Sequence, residues 1–397
     1  MEMNIHIQVL LLVFAVAVVV GGVANKTNFC TMGAVSDWVN IGDKNRLRAW
    51  LLAVTVALGG VLLLEASGKL VLPGDTFPPY RTAQFAWLRY LLGGMLFGVG
   101  MTLASGCGSK TCIRIGGGNL KSLLVLAIAA PVAYLLIWTD FYANWFDRWI
   151  APTNIDLASR GVASQDVGVL VGSLFGLEDL TRVHLLLGAL VVIAALIWLF
   201  RSAAFRASGD NILGGTVVGL AVVAGWYITG GPMGTQWKEY VEFATDVPSR
   251  VNVQSYTFIS PMADLARWIV QPAQWTLVTF GLVSLVGVIA GSFLYAILTR
   301  SFRVEWFASA SDFARHVAGA VLIALGGVMA MGCTIGQGVT GTSTFALGSF
   351  IALGAIIFGA ALTMKTQYYL MEEKGFFGAL RASLADLRLL PRAWAGL

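Results

Sequence analysis

The sequence predicts an all-α polytopic membrane protein with about nine transmembrane helices and several re-entrant broken segments, organised as two inverted-topology repeats that form an hourglass. Composition is the first reason: 57% of residues are hydrophobic and only 12% charged, with a mean hydropathy of +0.77, whereas a globular domain carries about a quarter charged residues. The second is the run from Val317 to Met364, 48 residues without a charge. A bilayer core takes about 20 apolar residues per helix, so this run holds two spans around the Gly- and Thr-rich break at Met331–Thr344. Irregular backbone at that depth has no water to satisfy it and must be enclosed by protein or line a polar cavity. The third reason is an internal repeat, described below.

In chain order, spans fall near residues 5 to 24, 49 to 65, 88 to 104, 121 to 138, 183 to 200, 211 to 230, 275 to 299, 316 to 331 and 345 to 363. The stretch Met1–Val23 is long enough to imitate a signal peptide, but no basic region precedes it and no Ala-x-Ala site follows, so it is read as the first span. The 46 glycines suit helices whose backbones approach closely in lipid. Loops after the odd-numbered spans, with the C-terminal tail, hold 17 of the 26 Lys and Arg residues; the other loops hold nine. The positive-inside rule then places the N-terminus outside, the tail in the cytoplasm, and 139 to 182 as an acidic outer loop. Lys44, Arg46 and Arg48 read as a cytoplasmic topology signal, and Trp145, Trp149, Trp237 and Trp268 as interfacial belt residues.

The repeat has an offset of 226. Gly93, Leu96, Gly100, Ala104, Gly106 and Cys107 recur as Gly319, Leu322, Gly326, Ala330, Gly332 and Cys333. A weaker match pairs Gly21 with Gly225 and Asn28-Phe29-Cys30-Thr31-Met32 with Thr257-Phe258-Ile259-Ser260-Pro261. Each half is then span, break, span, span, break, span. The single span between the halves makes the second enter from the opposite side, and such repeats place a substrate near the midplane. The expected units are a first repeat (1–140), the outer loop with a linking span (141–205), a second repeat (206–364) and a cytoplasmic tail (365–397).

Three of the four breaks carry a cysteine at the matching place: Cys30, Cys107 and Cys333. Gly106, Gly108 and Gly332 would bring the backbone close to a narrow path, and Ser109, Thr334 and Gln337 would supply polar groups beside it. These nine residues are the expected substrate-binding set. A lone buried cysteine is usually a small hydrophobe; three at matching positions point to function, while Cys112, opposite Gly338, keeps the packing role. Such thiols stay protonated and act as weak donors without negative charge, which suits a soft anion that must be bound and released. Lys110 and Arg114 are the candidates for anion attraction.

Four scattered cysteines do not make a disulfide framework. His6, His184 and His316 lie far from all of them in sequence, so no metal and no cofactor is expected. Neither a nucleotide-binding loop nor a Ser-His-Asp constellation is evident, and nothing points to nucleic acid.

The segments Asn28-Phe29-Cys30 with Gly33 and Asp37, Ala104-Ser105-Gly106-Cys107, Phe258-Ile259-Ser260-Pro261, Gly332-Cys333-Thr334-Ile335-Gly336-Gln337-Gly338 and Arg300-Ser301-Phe302-Arg303-Val304 resemble the YeeE/YedE sulfur-transport family. The resemblance covers nearly the whole chain. It implies a bacterial inner-membrane transporter of thiosulfate, with Cys30, Cys107 and Cys333 as path cysteines and a small cytoplasmic sulfur-carrier protein as partner. Ser105 and Cys112 depart from many relatives. The expectation is therefore a non-enzymatic importer of thiosulfate or a similar small sulfur anion through a cysteine-lined constriction. The alternatives are transport of another sulfur or selenium species and a membrane sulfurtransferase that relays persulfides.

Overall fold

A computed structural model describes residues 4–391, and among them nine helical segments are long and apolar enough to cross a bilayer. Their helices are Ile5–Lys26, Asn45–Ala66, Trp87–Leu103, Leu120–Trp138, Leu180–Phe200, Gly209–Gly230, Phe280–Leu298, Ala310–Met329 and Leu347–Met371, here called spans one to nine. The protein is a multi-pass membrane protein. Several helices differ from the hydropathy bounds because hydrogen bonding, not charge, decides where a helix ends. Span seven starts at Phe280, where Thr279 Oγ1 accepts the Leu282 amide at 3.1 Å. Span eight starts six residues before the apolar run, where Ser309 Oγ caps the Asp312 amide at 3.1 Å. Span nine runs past Lys365, and a further helix, Phe376–Asp386, lies in the tail.

Small residues let several spans touch backbone to backbone. Spans three and eight run antiparallel, and a Cβ built on Gly93 would lie 2.8 Å from the Gly326 carbonyl oxygen, one on Gly319 2.8 Å from that of Gly100. The reverse pairs match: Gly100 would meet the Gly319 oxygen at 2.8 Å and Gly326 the Gly93 oxygen at 2.7 Å. Adding 226 to one member of each pair and subtracting it from the other returns an existing contact. In lipid, where apolar side chains gain little by leaving the solvent, such backbone contact is a main source of helix affinity. Elsewhere, span one packs on span seven and span six on span two; span three packs on span nine and span eight on span four. Span five leans on span two and is otherwise largely exposed.

The loops 67–86 and 139–179 fold together on one face. Gln84–Phe85 and Ile155–Asp156 form a short antiparallel ladder, and the amides of Val167 and Leu347 bond across to Phe345 and Gln165. One aromatic expectation is overturned: Trp237 is only 1% exposed, and its indole N–H donates to His6 Nδ1 at 3.0 Å. A buried indole needs an acceptor, and His6 supplies one from a distant part of the sequence. Trp145 and Trp149 are exposed.

Gly326→Val puts methyl groups against the Phe97 amide and is expected to cost about 1–3 kcal/mol. Thermal unfolding in detergent measures this. Gly354→Ala, at a position with nothing within 4 Å, is the control and should leave stability unchanged; equal losses in both would contradict the contact argument.

Candidate functional site

The three cysteine breaks share one backbone device. Span one ends at Lys26, Asn28 turns left-handed (φ 50), and the Phe29 amide returns to the Ala24 carbonyl at 3.1 Å. Span three ends at Leu103, Ser105 takes φ 56, and the Gly106 amide reaches Met101 at 2.9 Å. Span eight ends at Met329, Met331 takes φ 58, and the Gly332 amide reaches Gly327 at 2.8 Å. Each is a Schellman closure, which pairs helix-end carbonyls that would otherwise be orphaned. The left-handed position, which favours glycine, is held by Asn28, Ser105 and Met331; Gly106 and Gly332 come one residue later. In all three the cysteine follows two residues after the left-handed residue.

The chain then re-enters a helix. Cys30 precedes Thr31–Ser36, Cys107 precedes Gly108–Gly116, and Cys333 leads into a π-helical turn at Gly336–Gly341. Cys30 Sγ accepts the Gly33 amide at 3.3 Å, and Cys333 Sγ accepts the Gly336 amide at 3.3 Å. The S–H of each is left free to donate. Cys107 Sγ lies 3.3 Å from Ser109 Oγ, within electrostatic reach of both Cys30 and Cys333. All four cysteines are free and buried, Cys30 being the most accessible at 9%. The third break lacks both the thiol and the left-handed residue; its helix Ser260–Val270 has Pro261 in the first turn, where a missing amide is harmless.

One side chain from each break, Phe29, Ser109, Phe258 and Ile335, lines a central cavity of about 20 Å³. That is space for about one water, and none of the cysteines lines it. On the face of the 67–86 loop a larger cavity of about 230 Å³ ends against Thr257, Ile259 and Gly332, with Arg89 and Tyr142 in its wall. Arg89 donates to the Met329 carbonyl at 3.2 Å and lies 4.9 Å over the Tyr142 ring.

The two basic candidates differ. Lys110 lays its stem against Gly106 near Cys30 and Cys107, and among the described residues it has no hydrogen-bond or salt-bridge partner. Arg114 is engaged: it donates to the Ser105 carbonyl at 2.9 Å and lies 3.8 Å from Glu305. Arg46 is more than a topology signal, since it forms a two-bond pair with Asp37 and its guanidinium covers Gly33.

The fourth break is held from several sides. Gln337 donates to the Ala330 carbonyl at 2.6 Å and accepts from Ser349 at 2.7 Å, so its amide ties span eight to span nine. Tyr80 donates to the Gly336 carbonyl at 2.7 Å, Arg81 to that of Thr344 at 2.8 Å, and Trp226 to Ser343 Oγ at 3.0 Å. Arg81 belongs to a buried cluster in which His184 Nε2 faces Glu65 at 3.1 Å and Nδ1 faces Asp166 at 2.8 Å. Both ring nitrogens thus lie within ion-pair distance of carboxylate oxygens, though only the Nε2 contact has hydrogen-bond geometry. Thr334 and Thr257 stand apart: both are buried, and neither hydroxyl has a hydrogen-bond partner. Tyr80, Arg81, Arg89 and Thr257 escaped the sequence reading; only Thr257 left a trace, as the repeat partner of Asn28.

Gln337→Leu strips partners from the Ala330 carbonyl and the Ser349 hydroxyl, and should lower stability by about 1–3 kcal/mol. Denaturation in detergent reads the loss. A variant as stable as the parent would show that the amide does not brace the break.

The chain was also compared with known proteins. A family profile described as sulphur transport matches residues 26–362. The thiosulfate transporter TsuA of Escherichia coli (strain K12) is 25% identical over 351 residues, covering 85% of this chain and 89% of the relative. The thiosulfate transporter TsuA of Spirochaeta thermophila is 26% identical over 275 residues, covering 68% and 74%. A match over most of the chain, on a nine-span scaffold with its cysteines in the breaks, establishes that this protein belongs to the sulphur-transport (YeeE/YedE) family.

Proposed function

We propose that this protein imports thiosulfate, or a closely similar small sulfur oxyanion, across a bacterial inner membrane by way of Cys333, Cys107 and Cys30. One observation carries the reading: three free, buried thiols stand at the same place in three breaks built on the same backbone turn. The names of the two relatives supply the solute. The exchanged contacts of spans three and eight support inverted repeats, and the bias of Lys and Arg among the loops favours an N-terminus outside and a tail in the cytoplasm.

In this reading the 230 Å³ cavity is the outer vestibule, where Arg89 draws the anion toward Gly332 and Cys333. The anion then passes between weak, uncharged S–H donors, whose low affinity lets each site release what it holds. Lys110, lacking a partner, favours the anion on the cytoplasmic side. Gly106, Gly108 and Gly332 shape the path, Ser109 and Thr334 contribute hydroxyls, and Gln337 positions the fourth break. Passage requires Phe29, Phe258 and Ile335 to move, because the resting waist admits about one water. A sulfur-carrier protein would take the solute at the cytoplasmic exit. The proximity of Cys30 to Cys107 also favours a second reading, persulfide relay; a stable sulfur adduct on either residue, detected by mass spectrometry after exposure to thiosulfate, would support it.

Uptake of radiolabelled thiosulfate into proteoliposomes tests the proposal. Cys107→Ala and Cys333→Ala should each reduce uptake about tenfold or more, the worth of a hydrogen bond to a charged solute. Cys112→Ala should leave it intact. Undiminished uptake in both path variants defeats the reading.

Lys110→Met should slow uptake and flatten its dependence on ionic strength, because screening acts on the charge removed. A salt profile identical to that of the parent would remove Lys110 from the path.

A further inference from the structure

We propose that Thr257 is a specificity residue at the floor of the outer vestibule, its hydroxyl donating to an oxygen of the oxyanion while the Cys333 thiol meets the sulfur end. The inference rests on the import reading above. Thr257 is 5% exposed, and its Oγ1 has no hydrogen-bond partner. A hydroxyl left unpaired in a buried place carries a desolvation penalty, and such an atom invites an occupant. Its position is functional in geometry. Thr257 lines the 230 Å³ cavity together with Ile259 and Gly332. Oγ1 also lies against the Cα of Gly336, the residue whose amide bonds Cys333 Sγ, and a Cβ built there would be 3.8 Å from that sulfur. The hydroxyl of a residue that lines the cavity and the thiol buried behind it thus flank the same residue, Gly336.

The third break strengthens the case. It carries Ile259 where its repeat partner carries Cys30, so it brings no sulfur to the path; of its two hydroxyl residues lining the cavity, Thr257 and Ser260, Thr257 is the one whose oxygen is buried without a partner. Cys333 Sγ already accepts an amide and has its proton to give. Two donors of different softness, Thr257 at the cavity floor and Cys333 beneath it on the other side of Gly336, match a solute with oxygen at one end and sulfur at the other. Arg89, in the wall of the same cavity, supplies charge without that discrimination.

The test uses the full-length protein in proteoliposomes, comparing the parent, Thr257→Val and Thr257→Ser. Thr257→Val should raise the half-saturating thiosulfate concentration roughly ten- to a hundredfold, the range for one hydrogen bond to a charged group, and Thr257→Ser should restore it. Inhibition by hydrosulfide, which has no oxygen, should be the same in all three. Thermal stability of Thr257→Val should equal or exceed that of the parent, because no protein partner is lost. Parental affinity in Thr257→Val, failure of Thr257→Ser to rescue, or an equal loss of hydrosulfide inhibition each overturns the inference while leaving import standing. Absence of thiosulfate uptake by the parent defeats import itself, and the oxyanion role with it.

Discussion

A peptide group in hydrocarbon must find its hydrogen-bond partner within the protein, and this requirement governs how the molecule bends its chain at membrane depth. Helices meet it automatically; breaks do not. At three breaks the chain closes the preceding helix with a Schellman turn, accepts a left-handed residue, and restarts a helix within a few residues. A left-handed non-glycine residue costs roughly 1–2 kcal/mol, so Asn28, Ser105 and Met331 are held by their surroundings rather than by preference. The cysteine falls where the new helix begins; there the amides of a first turn lack carbonyl partners, and the sulfurs of Cys30 and Cys333 each accept one, whereas that of Cys107 faces the Ser109 hydroxyl. Thiol placement is thus a product of the solution to the backbone problem.

The scaffold around the breaks divides its work. Glycines at seven-residue spacing let spans three and eight touch backbone to backbone, which fixes the second and fourth breaks relative to each other. The loops 67–86 and 139–179 then secure the fourth break through Tyr80, Arg81 and the strand-like pairing of Gln165 with Leu347. The buried Glu65, Arg81, Asp166 and His184 satisfy one another, and removing one member would leave an uncompensated charge, which is strongly destabilising. The segment bearing Cys333 is consequently the most heavily braced of the four.

Much of this was legible in the sequence, for definite reasons. Spans announce themselves because lipid forbids charge, and the offset of 226 identified the glycines that later proved to be in contact. Cys30, Cys107 and Cys333 were readable because duplication placed them at matching points. Helix ends were less legible, since caps such as Ser309, beside charged residues, and Thr279, within an uncharged run, act through single hydrogen bonds that hydropathy does not register. Long-range pairs were invisible. Nothing near Trp237 in the chain announces His6, nothing near Gln337 announces Ser349, and Met331 is an unexpected residue for a left-handed turn. Those features arise from neighbours brought together only by folding.

The narrowness of the waist has an energetic corollary for the host membrane. Protons cross lipid along continuous files of water, and a space of about 20 Å³ holds too little water to form one. In the import reading proposed above, a resting molecule would not short-circuit the electrochemical gradient, and a cell could hold many copies without dissipating the potential on which its other transporters run.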